Sequence, residues 1–131
     1  MEHGLFHPAL VHFPIAFYVL EFLLLIFWIV KRDSSYERFA LFTFRLGYLA
    51  MLVAAAAGLL DAGGISGIVG KVKPHFFAAL SVLVFYTARA LFWRFGKKNN
   101  AAYAKIQLAG AAIGTVLVLL TGFFGGEIVY G

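Results

Sequence analysis

The chain contains no cysteine, which excludes disulfides, thiolate metal sites and iron–sulfur clusters and leaves nitrogen and oxygen as the only ligand atoms. Charge is scarce too: 13% of the 131 residues are charged and only six are acidic, against 63% hydrophobic residues and a mean hydropathy of +0.90. A soluble domain carries about 25% charged residues, so this composition describes an integral membrane protein. Also missing are a nucleophile with its base and orienting group, a phosphate-cradling glycine loop and a carboxylate pair placed for hydrolysis, so a hydrolase is not expected.

What is present is four long apolar runs, at about 8–30, 39–60, 76–95 and 106–124. A membrane-spanning helix needs roughly 20 apolar residues, so each run is long enough to cross. The connections are short and leave no room for a second domain. The expected fold is all-α: one integral membrane four-helix bundle, up-down-up-down, occupying 1–131 as a single transmembrane domain. The first run lacks a basic segment before it and a small-residue cleavage pattern after it, so it is expected to stay in the mature protein. Small residues at 54–58 and 110–114 allow close helix approach.

The net charge of +5 resolves into a topology signal once the basic residues are located. Lys31, Arg32 and Arg38 flank the first loop, and Arg94, Lys97, Lys98 and Lys105 flank the third, whereas the second carries only Lys71 and Lys73. The positive-inside rule then puts the first and third loops in the cytoplasm and both termini outward, the expected orientation of a multi-pass protein of the cell's inner membrane. No nucleic-acid partner is expected. The lipid bilayer is the partner that composition implies, with association of copies left open.

Two stretches read alike. Val11-His12-Phe13 leads to Phe27-Trp28 before a basic loop, and Pro74-His75-Phe76 leads to Phe92-Trp93 before another. The second and fourth runs end in Gly58-Leu59-Leu60-Asp61 and Gly122-Phe123-Phe124, with Glu127 shortly after. The offsets are 63 for His12 and His75, 65 for the tryptophans and 64 for the glycines. Such agreement suggests two tandem helical hairpins, parallel repeats about an axis along the membrane normal. His12 and His75 would then be equivalent and able to meet across that axis, as ligands or, in the plainer reading, as helix caps.

His7, His12 and His75 all fall at the outward face, where an imidazole beside lipid is costly unless something uses it. Pro8 suits a first helical position, and Pro14 is expected to kink the helix below His12. His7 and His12 are five residues apart, about 140° of rotation, so they do not share one helix face. The positive end of a helix dipole disfavours imidazolium, and neutral imidazole is the metal-binding form. Asp61 and Glu127 stand at the outer ends of their helices, where a carboxylate opposes the dipole and is matched by a bound cation, by Lys71 or Lys73 or by a histidine, or, in the plainer reading favoured for Glu127, is simply solvated. Deeper, Glu21, Arg45 and Arg89 lie at one depth, roughly 20 Å from the outer face, so a structural ion pair of Glu21 with one of the arginines is expected.

The HPALVHFP opening, the GLLDAGG turn, the histidine opening the third helix and the GGEIVYG ending together resemble the DUF2231 family of small bacterial four-helix membrane proteins, across essentially the whole chain. That family carries no assigned function. Some relatives look fused to Rieske-type iron–sulfur domains, which implies a membrane electron-transfer setting. This chain lacks such a domain, so a redox partner would be a separate protein.

Three readings follow. In the leading one, His12 and His75 are the axial ligands of one haem b near the outward face, with His7 and Asp61 as accessory contacts and electrons exchanged there with a partner protein or a quinone. In the second, His7, His12 and His75 with Asp61 or Glu127 hold a Zn, Cu or Fe ion. In the third, the chain is a structural or assembly subunit of a membrane complex. No histidine lies in the cytoplasmic half, so a two-haem ladder across the bilayer is not expected.

Overall fold

A computed structural model describes residues 12–61, 63, 64, 69, 70, 72–96 and 101–130. Within them four helices follow one another: α1 (His12–Lys31), α2 (Ser34–Asp61), α3 (Val72–Phe95) and α4 (Ala101–Tyr130). All four are long and apolar enough to cross a membrane, and they pack as a helical bundle. Its histidine end is where α1 and α3 begin, and its basic end is where they finish.

The helices outrun the apolar runs. α2 begins at Ser34, five residues before its apolar run, because Asp33 caps it: the Ser35 amide and hydroxyl donate to Asp33 Oδ1 at 2.9 and 2.8 Å. These bonds satisfy an amide that the first helical turn leaves without a partner. They also hold the exposed carboxyl below its ordinary range, the backbone bond from Ser35 contributing most. α1 closes at Arg32, which takes a left-handed φ of 54° while its amide bonds the Trp28 carbonyl at 2.9 Å. α3 starts one turn before the expected position, at Val72. Pro74 therefore sits inside its first turn, where a missing amide donor costs nothing, and His75 is the fourth residue of the helix. Pro14 is the third residue of the described α1 and is buried, whereas Pro8 and the residues that a kink at Pro14 would redirect lie outside the described residues.

Neighbours around the bundle are α1 with α2, α3 with α4, α1 with α4 and, more loosely, α2 with α3. α1 and α3 are thus diagonal, and they meet across the middle. Tyr18 of α1 and Tyr86 of α3, both fully buried, stack with ring centroids 3.7 Å apart and planes 12° from parallel. Each ring also presses into a glycine of its own hairpin. A Cβ on Gly47 of α2 would stand 2.8 Å from Tyr18 Cε1, and one on Gly114 of α4 would collide with the Tyr86 hydroxyl and stand 2.6 Å from its Cζ. Only glycine admits rings so close to a helix backbone. Large apolar side chains such as Phe13, Leu49, Val84 and Phe123 lie outside, facing what would be lipid.

Some of these contacts come in pairs with similar offsets. Tyr18 and Tyr86 are related by an offset of 68, and their glycine seats by one of 67. Tyr36 packs on Phe27 in the first hairpin as Tyr103, at an offset of 67, packs on Phe92 in the second. Trp28 and Trp93, offset by 65, both pack T-shaped with Tyr103. The offset is therefore 65 to 67 near the basic end and reaches 68 at mid-bundle.

Candidate functional site

The most elaborate polar arrangement lies in the core. Arg89 grips Glu21 with both arms of its guanidinium, Nη1 to Oε1 and Nη2 to Oε2, each 2.7 Å. Glu21 is fully buried and Arg89 nearly so. Nη2 also donates to Gln107 Oε1 at 3.1 Å, Gln107 Nε2 donates to the Tyr103 hydroxyl at 3.1 Å, and Trp93 Nε1 donates to Glu21 Oε2 at 3.4 Å. Beneath the guanidinium lies Phe44 of α2, its ring centroid 5.0 Å from Arg89 Cζ. All four helices thus touch one ion pair. Desolvating two charges is expensive and is offset only by good geometry and by further hydrogen bonds to the pair; the two-armed geometry and the Gln107 and Trp93 bonds supply these, while among the described residues the buried Arg89 Nε has no partner. With its hydrogen-bonding capacity so largely taken up inside the fold, the network reads as a clamp that sets how the helices meet.

Arg45 takes no part. The buried residues of α2 are Ala40, Thr43, Phe44, Gly47, Met51 and Ala54, and Arg45, one position beyond Phe44, is turned about 100° away and is exposed.

At the histidine end, His75 is half-buried and its Nδ1 lies 3.1 Å from the Thr121 carbonyl of α4. A carbonyl only accepts, so Nδ1 carries a proton in this contact. Metal-ligating histidines are commonly held by this kind of Nδ1–H to carbonyl bond, which fixes both tautomer and ring orientation. His12, in the first turn of the described α1, is exposed. Asp61 and Glu127 fall in the last turns of α2 and α4, but their side chains, like the whole of His7, lie outside the described residues. Among the described residues no three His, Asp or Glu converge to hold a metal ion.

The DUF2231 family, described as a predicted membrane protein, matches residues 5–131. The chain belongs to the DUF2231 family. Neither the curated proteins nor the solved structures hold a match to it. The match agrees with the four spanning helices of this DUF2231 protein and leaves its chemistry to be argued from the residues themselves.

Sequence reasoning missed Trp93, Gln107 and Tyr103 as partners of the ion pair. One signal was available: Gln107 is the only glutamine in the chain and interrupts an apolar run. Nothing in the sequence pattern marked Tyr18 and Tyr86 as a pair, because their contact depends on which faces of two diagonal helices turn inward.

Proposed function

We propose that this DUF2231 protein is a membrane electron-transfer protein that binds one b-type haem at its histidine end, with His75 providing one axial nitrogen. The observation that carries this reading is the bond of His75 Nδ1 to the Thr121 carbonyl at 3.1 Å, the kind of contact by which metal-ligating histidines are commonly oriented. The second ligand comes from the opening of α1. His12 matches His75 by its local sequence, whereas His7, at an offset of 68 from His75, matches it by the spacing of the central packed pair. A bound haem supplies one-electron chemistry, and ligation by two histidines leaves no open coordination position for a substrate. The chain's own work is to orient the imidazoles and exclude water. The exchange of electrons takes place at the same face, with a separate redox protein or a quinol.

By the distribution of basic residues, the protein lies in the inner membrane with both termini periplasmic. A phosphatase fused after Gly131 is expected to be active, and an inactive fusion beside an active one in the first loop would reverse the orientation.

Purified protein is expected to show a Soret band and a sharp α band on reduction, both lost in His75→Ala. Loss in His12→Ala or in His7→Ala identifies the α1 ligand. A haem spectrum that survives His75→Ala refutes the assignment. A colourless protein with stoichiometric Zn, Cu or Fe supports instead the ion site built from His7, His12, His75 and Asp61 or Glu127. A colourless, metal-free chain that copurifies with a larger complex supports an assembly subunit.

A further inference from the structure

Between α2 and α3, the most loosely packed neighbours, runs a half-open groove of about 500 Å³, within the size range of small-ligand pockets. Arg45 of α2 and Arg94 of α3 both line it. Arg94 stands in the last turn of α3, and its guanidinium carbon lies 5.1 Å from the Phe95 ring centroid. Arg45, inside a helix long and apolar enough to span, shares the groove with Trp93 and Arg94 and follows Phe44, whose ring centroid lies 6.4 Å from that of Trp93, so its long side chain starts near the last two turns of α3 and can extend toward the basic end. Among the described residues neither arginine has a carboxylate partner, since the one salt bridge there uses Arg89 and Glu21. From Arg45 the lining continues along α2 through Leu49 and Leu52. These are i, i+4 and i+7 positions, a single stripe about 10 Å long that climbs toward mid-bilayer.

We propose that this groove binds an anionic phospholipid from the leaflet at the basic end, its phosphate held between Arg45 and Arg94 and one acyl chain laid along Leu49 and Leu52. The charge pattern selects the occupant. Two unpaired arginines in a membrane-facing groove need an anion, and the guanidinium fork matches phosphate geometry. Long basic side chains at this depth reach toward the headgroup layer, where basic pockets between helices collect acidic headgroups. The apolar stripe fits a hydrocarbon chain. A second copy of the chain fits poorly, because a two-fold contact through this groove would set arginines against arginines. The inference is independent of the histidine end and uses none of its residues.

The test is native mass spectrometry of the full chain released from nanodiscs made of phosphatidylglycerol and phosphatidylcholine in equal parts. The expected result is one retained phosphatidylglycerol per chain, with phosphatidylcholine absent. Each of Arg45→Gln and Arg94→Gln is expected to weaken retention roughly fivefold and the pair about thirty-fold, the equivalent of about 1 kcal/mol per basic residue near an anionic surface. Circular dichroism of the variants confirms that the helices are intact, as expected for two exposed side chains. Equal retention of both lipids, or undiminished phosphatidylglycerol on the double variant, overturns the proposal. So does stabilisation of the detergent-solubilised protein by inorganic phosphate to the same extent as by phosphatidylglycerol, or a spectrum of lipid-free dimers.

Discussion

Replacing Arg89 by Met removes two 2.7 Å bonds to Glu21 and one 3.1 Å bond to Gln107, and it leaves the Glu21 carboxylate fully buried with only the Trp93 indole, 3.4 Å away, to face it. Orphaning one partner of a buried pair costs about 3–5 kcal/mol, mostly the penalty of the uncompensated charge. Loss of the guanidinium above Phe44 adds roughly 0.5–2 kcal/mol. Glu21→Leu alone strands the cation and is expected to cost a similar amount. The double variant Glu21→Leu/Arg89→Met strands no charge, and apolar replacements of whole buried pairs are often neutral or stabilising. Gln107 and Trp93 then each lose a partner, about 1 kcal/mol apiece, and the contact with Phe44 is lost as well, so the double variant is expected within about 4 kcal/mol of the parent, well short of the sum of the singles. The cycle is measured by reversible denaturation in mixed micelles followed by tryptophan fluorescence, with Trp93 a reporter inside the network. A double variant as unstable as the sum of the singles, or an Arg89→Met cost below about 1 kcal/mol, would refute the reading of this network as a clamp.

Two further outcomes follow from the packing and the caps. Gly114→Ala drives a Cβ into the Tyr86 hydroxyl and to within 2.6 Å of Cζ, so the same denaturation should show a loss of about 1–3 kcal/mol, with only partial recovery in Gly114→Ala/Tyr86→Phe because the ring carbon remains. Asp33 has its carboxyl lowered by the Ser35 bonds, so its contribution to the start of α2 is complete above the ordinary Asp range and is lost as pH falls through the lowered folded value. Hydrogen exchange at the Ser35 amide should quicken in Asp33→Ala at neutral pH, stay slow in Asp33→Asn through the acid range, and quicken in the parent only on strong acidification.

The spans were legible because apolar length is a property of composition, which needs no knowledge of facing. Helix ends were less so: Asp33 carries α2 back across polar residues, and Val72 begins α3 before its apolar run, since caps and first turns tolerate the residues that apolar counting rejects. Depth along a helix reduces the partners of Glu21 to two arginines. Choosing between them requires the inward face of α3, which carries Tyr86, Arg89 and Trp93 at i, i+3 and i+7, and that face is set by the tyrosine stack. The alignment of His12 with His75 rests on neighbouring letters, whereas the packed pairs count from glycine seats and ring contacts. The two methods differ by five residues at the histidine end, about 7.5 Å of helix, which is why the α1 ligand is a question for substitution.

Glu21 and Arg89 are related by an offset of 68, the same spacing as the stacked tyrosines. The repeat therefore places a carboxylate and a guanidinium at one equivalent position on either side of the axis. Two copies of the first hairpin, docked the same way, would confront carboxylate with carboxylate, and two copies of the second would confront cation with cation. A tyrosine in a glycine seat serves either hairpin equally well, so the shape of the interface permits self-pairing and the charge forbids it. Like charges this close cost several kcal/mol, so the charge pattern favours pairing of each hairpin with the other half of its own chain over a like hairpin.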